Sequence, residues 1–295
     1  MLISTRKRQY GLSLHRPAES GSSTRPWKTI RALLTFGFLW GSSCVTAAQS
    51  DPFAHEDWNS LLKTCVVITP DHHSTAADYD CFAKHRTQLN AYLDTLSDVS
   101  EAALTSQAKD VQLAFLINAY NAWTVALILD NWPGLESIRD LGSILRSPWK
   151  KSFIPLFGDT LSLDDIEHGM IRQSGRFDDP RIHFAVNCAS IGCPALRQEA
   201  YRGDIIDLQL EEQTQSFLKD PSRNRLRGDK LEVSSIFKWY RDDFEQGWRG
   251  IDSLQGFLSR YGESLNLTAK QTAALEDGGL DLVFLDYDWR LNHKP

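Results

Sequence analysis

A chain of 295 residues with 42% hydrophobic and 24% charged side chains has the balance of an ordinary globular protein, long enough for one large domain or two small ones. Its formal charge of −6 comes without a basic stripe, which argues against nucleic acid or an anionic membrane surface as a partner. Neither a Gly-rich phosphate loop nor a Gly-x-Ser-x-Gly elbow occurs, so nucleotide-dependent and serine-hydrolase chemistry are set aside.

The N-terminal stretch differs from the rest. Seven basic residues, from Arg6 to Arg31, precede a short apolar run from Ala32 to Trp40 and the small residues Thr46 and Ala48. That pattern is expected of a secretory signal peptide over residues 1–48, and the apolar run is too short for a comfortable membrane span. The membrane is then met only through this segment, if it stays uncleaved. Residues 49–295 would form a single exported domain, periplasmic or extracellular. Beyond residue 48 remain 25 basic and 37 acidic side chains, a formal charge of −12. Small molecules, peptides or envelope polymers are the partners such a surface suits.

Export permits disulfides. Four cysteines follow residue 48: Cys65, Cys81, Cys188 and Cys193. Cys65 and Cys81 bracket a polar loop and are expected to pair. Cys188 is left either as a free thiol or as a partner of Cys193.

The segment from His55 to Val66 predicts a short amphipathic helix, and Tyr79 to Leu96 places apolar residues at helical spacing. Asp110 to Asp130 is apolar nearly all round, the mark of a buried helix. Its polar residues Asn118, Asn121 and Thr124 fall at steps of three, so they face either a polar seam in the core or the wall of a site. Two short apolar runs around Gly158-Asp159 predict a hairpin. Ser162 with Asp165 forms a capping box that opens a helix carrying Glu167, His168 and Arg172. Residues 182–187 alternate like a strand and run into Cys188 and a turn at Gly192-Cys193-Pro194. A long helix from Asp204, a strand and helix over 231–244, a helix from Asp252 and a terminal strand over 282–292 that carries Asp286, Tyr287, Asp288 and Trp289 complete the chain. No linker interrupts residues 53–292. The expected fold is α+β, one compact helix-rich domain with a central mixed or antiparallel sheet.

A strand ending in a thiol, with an imidazole nearby, suits nucleophilic catalysis. Cys188 is the candidate nucleophile, His183 or His168 the base that lowers its pKa, and Glu167 or Asn118 the group that orients the ring. Asn118, Asn121, Arg172 and Asn187 are candidate substrate-binding residues. The parts are those of a papain-like or transglutaminase-like thiol hydrolase or acyltransferase acting on peptide or amide bonds, although the residue order follows neither. A non-catalytic envelope binding or scaffolding domain, with Tyr287 and Trp289 also lining its groove, is the alternative. A metal-dependent hydrolase is the weaker third reading, because ligand-type residues occur without HxxxH or CxxC spacing. Neither a metal nor any other cofactor is expected.

Five segments in order resemble the family called domain of unknown function 547: NAYNAWTVALIL at 118–129, LDDIEHGMIR at 163–172, HFAVNCASIGCPALR at 183–197, VSSIFKWYRDDF at 233–244 and YDWRLN at 287–292. The resemblance implies an exported bacterial protein with a compact α/β domain and a polar cluster of Cys, His and Glu. It supplies no substrate.

Overall fold

The computed structural model describes residues 52–53, 55–143 and 146–294, so the expected signal segment lies outside the described residues. The chain begins with helix α1 (Glu56–Cys65), which buries Trp58, Leu61, Leu62 and Cys65 on one face. Acidic Glu56 and Asp57 stand at its positive end and Lys63 at its negative end. Strands β1 (Val66–Ile68) and β2 (Thr75–Ala77) pair antiparallel, and the expected Cys65–Cys81 disulfide ties α1 to helix α2 (Tyr79–Lys84). Where one helix was expected, the chain turns at His85, whose Nδ1 meets the Cys81 carbonyl oxygen at 2.9 Å. Helix α3 (Arg86–Ser97) and the Ser100-capped α4 (Glu101–Thr105) then lead to α5 (Lys109–Leu129).

Helix α5 is the axis of the larger core. It is apolar enough to cross a bilayer by composition, yet 89% of its most apolar window is buried inside the domain. Helices α1 to α4 pack on one side, and the hairpin of β3 (Ile154–Leu156) and β4 (Asp159–Leu161) contributes Ile154 and Leu156. The hairpin turn puts Phe157 and Gly158 at φ 59° and 85°, the left-handed geometry that suits a two-residue connection. After the Ser162–Asp165 capping box the chain forms a π-helix, Asp165–Ile171, rather than an α-helix.

The second core is aromatic. Helix α6 (Ile206–Lys219) delivers Phe217, and strand β6 (Lys230–Ser234) delivers Leu231 and Val233. β6 lies between antiparallel β5 (Arg225–Arg227) and parallel β7 (Asp281–Leu285). Helices α7 (Ile236–Trp239), α8 (Arg241–Phe244), α9 (Leu254–Arg260) and α10 (Ala269–Glu276) pack Phe237, Phe244, Phe257 and Leu275 against them. The fold is α+β. Its strands form three small sheets among the described residues, the largest of them mixed, rather than one central sheet.

The segment joining the two cores differs most from expectation. Pro180–Phe184 is a 3-10 helix, not a strand. Asp179 caps it by accepting the Arg181 amide, and Pro180 fixes the backbone at its first position. Arg181, 2% exposed, is ringed by Asp179, Asp207 and Glu211 at 2.7, 2.5 and 3.1 Å. Both faces of this segment are covered, so the apolar alternation carries no information about a sheet. Ile182 joins the first core and Phe184 the second.

Beyond it, residues 185–194 are held by side-chain amides. Asn121 donates to the Ala185 carbonyl at 2.9 Å and accepts the Asn187 amide at 2.8 Å. Asn187 in turn accepts the Ala189 amide and donates to the Pro194 carbonyl, which closes the loop into a ring. Asn118 clamps Tyr201 through both its backbone groups at 2.8 and 2.9 Å. From the other side, residues 288–292 accept from Ile191 and Gly192 and donate from Asn292 to Ala189. Gly192 lies against the Tyr287 ring, where a Cβ would stand 2.9 Å from ring carbons. No other residue type fits there without displacing the tyrosine.

Asn121→Ala leaves a buried amide and a buried carbonyl without partners, each costing about 1–3 kcal/mol. We expect a loss of about 2–4 kcal/mol in urea unfolding, against under about 1 kcal/mol for an exposed control such as Lys270→Ala.

Candidate functional site

A cavity of about 230 Å3 opens where the two cores meet. Tyr120 of α5 forms part of its wall, Glu167 and His168 come from the π-helix, and His183, Cys188 and Cys193 come from the connecting segment. Tyr240, between α7 and α8, and Tyr287, just after β7, also line it, with Ser147 and Asp164. Thus His168, His183, Glu167 and Cys188 line one cavity.

The best-defined pair was not foreseen. His183 Nε2 lies 2.7 Å from Asp243 Oδ2, and its ring stacks on Tyr240 with centroids 3.9 Å apart. Asp243 also takes Arg172 Nε at 2.6 Å and Nη2 at 3.1 Å. Two donors hold its carboxyl well below the ordinary carboxylate range, against the opposing effect of burial. Burial lowers the His183 pKa below its ordinary value even though Asp243 and Glu167 favour the charged ring. We therefore assign the neutral tautomer, with the proton on Nε2 donated to Asp243. That leaves a lone pair on Nδ1, which is buried and has no hydrogen-bond partner. An imidazole held at one nitrogen by a carboxylate, with the other bare, has the arrangement of a general base.

The remaining acid–base groups brace this pair. Glu167, 6% exposed, accepts the Tyr240 hydroxyl at 2.8 Å and also interacts with the Tyr120 hydroxyl. Arg172 Nη1 donates to His168 Nδ1 at 2.6 Å, and the guanidinium lies over the Tyr240 ring. His168 Nε2 stands 3.6 Å from Asp164. The π-helix makes this possible. Its wider turn bonds the Arg172 amide to the Glu167 carbonyl, so Glu167 and His168 reach the cavity while Arg172 reaches Asp243.

The sulfurs are bonded to each other. Cys188 and Cys193 form a disulfide of 2.05 Å, the paired alternative for Cys188 and not the free thiol. The Asn187–Pro194 bond folds the intervening residues back and, with Ala189 at φ 60°, brings the two Cα atoms to 6.1 Å. The Tyr287 hydroxyl is 3.2 Å from each sulfur, and the Ser190 hydroxyl is 3.1 Å from Cys188. Burial raises the Tyr287 pKa, so the hydroxyl stays protonated and able to donate.

Four expected substrate-binding residues occupy other positions. Asn118, Asn121 and Asn187 spend their amides on backbone, and Arg172 spends its guanidinium on Asp243 and His168. None of the four lines the cavity. Among the described residues, one group has metal-ligand closeness: Cys65, Cys81 and His85, with both sulfurs already in a disulfide.

The comparison with protein families bears on this same region. Residues 104–218 match a family model described as a protein of unknown function, DUF547. This segment belongs to the DUF547 family. It contains Asn118, Asn121, Glu167, His168, His183 and both cavity cysteines, whereas Tyr240, Asp243 and Tyr287 lie beyond it. The chain matches no curated protein and no solved structure. The DUF547 description carries no activity.

His55 shares the state of His183: burial lowers its pKa to about 4. A histidine held neutral in the fold but able to protonate when unfolded, with an ordinary pKa near 6.5, contributes stability that is complete above that value. It is lost as pH falls below it. We expect unfolding free energy to decline from pH 7 toward pH 5, approaching about 1.4 kcal/mol per pH unit for each such ring. Urea titrations of the wild-type and His55→Gln proteins check this. The substitution should make the decline shallower by up to one proton's worth.

Proposed function

We propose that the protein is an exported thiol-dependent hydrolase or acyltransferase acting on peptide or amide bonds, active when the Cys188–Cys193 bridge is reduced. The observation that carries this reading is His183: Asp243 holds its Nε2, its Nδ1 is buried without a partner, and the residue lines the same cavity as Cys188. Two electrons and two protons from a dithiol donor would open the bridge and leave two thiols. His183 Nδ1 would then take the Cys188 proton, and the thiolate would attack the substrate carbonyl carbon. The same nitrogen would return the proton to the departing amine, leaving a thioester for water or a second amine to resolve. Tyr287 and Ser190, the hydroxyls nearest the Cys188 sulfur, would donate to the oxyanion. Two disulfides are compatible with an exported protein, and the periplasmic or extracellular setting is part of the proposal.

The closed bridge favours one other reading, a non-catalytic binding domain, since a disulfide sulfur carries no proton for His183 to remove. Alkylation separates the two. After phosphine reduction, Cys188 should react with iodoacetamide at pH 7 at least about tenfold faster than a free-cysteine control, as befits a lowered thiol pKa. Asp243→Asn and His183→Ala should remove that advantage. Peptide mapping by mass spectrometry identifies the labelled residue. If the reduced protein reacts no faster than the control, the binding reading takes its place.

A further inference from the structure

A second, larger depression lies beside the cavity. Trp149 and Trp289 line both, and the outer groove encloses about 870 Å3. The boundary between them is aromatic. Tyr287, whose hydroxyl touches both sulfurs, has its ring 4.5 Å from Trp289 and 4.8 Å from Trp239, and Trp149 meets Trp289 at 5.7 Å. Trp239 is 47% exposed, a large apolar surface that the fold leaves uncovered.

Beyond the rings the groove is cationic in a chain that is acidic overall. Arg139 lies over the Trp289 ring, and neither Arg139 nor Arg146 has an ion-pair partner among the described residues. Arg290 is paired with Asp288, while the Asp140 carboxylate is taken up by the Glu136 and Ser137 amides. Glu136 is the remaining carboxylate of the groove. Aromatic faces beside free guanidiniums suit a ligand that combines a broad, non-ionic C–H face with scattered carboxylates. A pyranose ring offers that face, because its axial C–H bonds carry positive charge toward the negative face of an aromatic ring. Guanidinium forks match carboxylates. The low charge density of such a polymer also suits a chain of formal charge −6 better than a polyphosphate would.

We infer that the aromatic boundary and the arginine groove hold the sugar portion of a carboxylate-bearing glycopeptide, with its peptide amide directed toward Cys188. The direction of the amide rests on the thiol-dependent reading; the binding does not. The test uses full-length protein with Cys188→Ala and Cys193→Ala, so that binding is read without the thiol chemistry. Its co-sedimentation with insoluble peptidoglycan sacculi is measured alongside competition by soluble glycan–peptide fragments, sugar-free stem peptides and poly-glutamate.

We expect saturable retention on sacculi, competed by the glycan–peptide fragments and not by the sugar-free peptides. Trp239→Ala and Arg146→Ala should each weaken it about tenfold, and Trp239→Phe should restore most of it. An unchanged melting temperature shows that the variants are folded. Three results would overturn the inference: no retention by the parent protein, unchanged retention by the folded Trp239→Ala and Arg146→Ala variants, or equal competition by poly-glutamate, which would mark an acidic-peptide groove. Failure here leaves the alkylation result standing, and failure of the alkylation test leaves this one standing.

Discussion

Asn121 is the residue on which the site rests. An amide buried in an apolar helix must find both a donor and an acceptor, and the backbone of residues 185–187 supplies both. The bond is local in effect but long in sequence, joining α5 to a segment more than sixty residues later. Asn187 repeats the device one step outward, and Asn292, from the end of the chain, donates its side-chain amide to Asn187 Oδ1. Three carboxamides thereby hold a loop that contains a left-handed alanine, a glycine against a tyrosine ring and a disulfide. Such a loop has no ladder of its own to keep it in place.

A second constraint acts on the chemistry. Asp243 receives three hydrogen-bond donors, one from His183 and two from Arg172, so its charge is stabilised from two directions. The cation on one side balances the carboxylate and allows the imidazole on the other to remain neutral. His183 is thus positioned without being charged. A base must be so held if it is to accept a proton.

Much of this was legible in the sequence, and the gaps have physical causes. The stripe of Asn118, Asn121 and Thr124 announced a polar seam because carboxamides in an apolar helix need partners, but nothing in the spacing said that the partners would be backbone rather than ligand. The capping box and hairpin were readable because both are made by neighbours in sequence. The 3-10 helix at Pro180–Phe184 was not, because two cores cover its two faces and periodicity reports only a one-sided environment. Asp243 could not be chosen from its own segment either. It is one of two adjacent aspartates on a short helix, and only the packing of α8 against residues 180–184 tells them apart. The signal available was Tyr240 and Asp243 three residues apart, which places a ring and a carboxylate on one helical face.

The acceptors for Ile191 and Gly192, the ring beneath Gly192 and the hydroxyl between the sulfurs all come from residues 287–290. A polypeptide emerging N-terminus first therefore carries Cys188 and Cys193 for roughly a hundred residues before their final wall arrives. During that interval the two sulfurs are governed by whatever redox partner they meet. Closure of the C-terminal segment is what brings the Tyr287 hydroxyl against both sulfurs in the cavity that His183 lines.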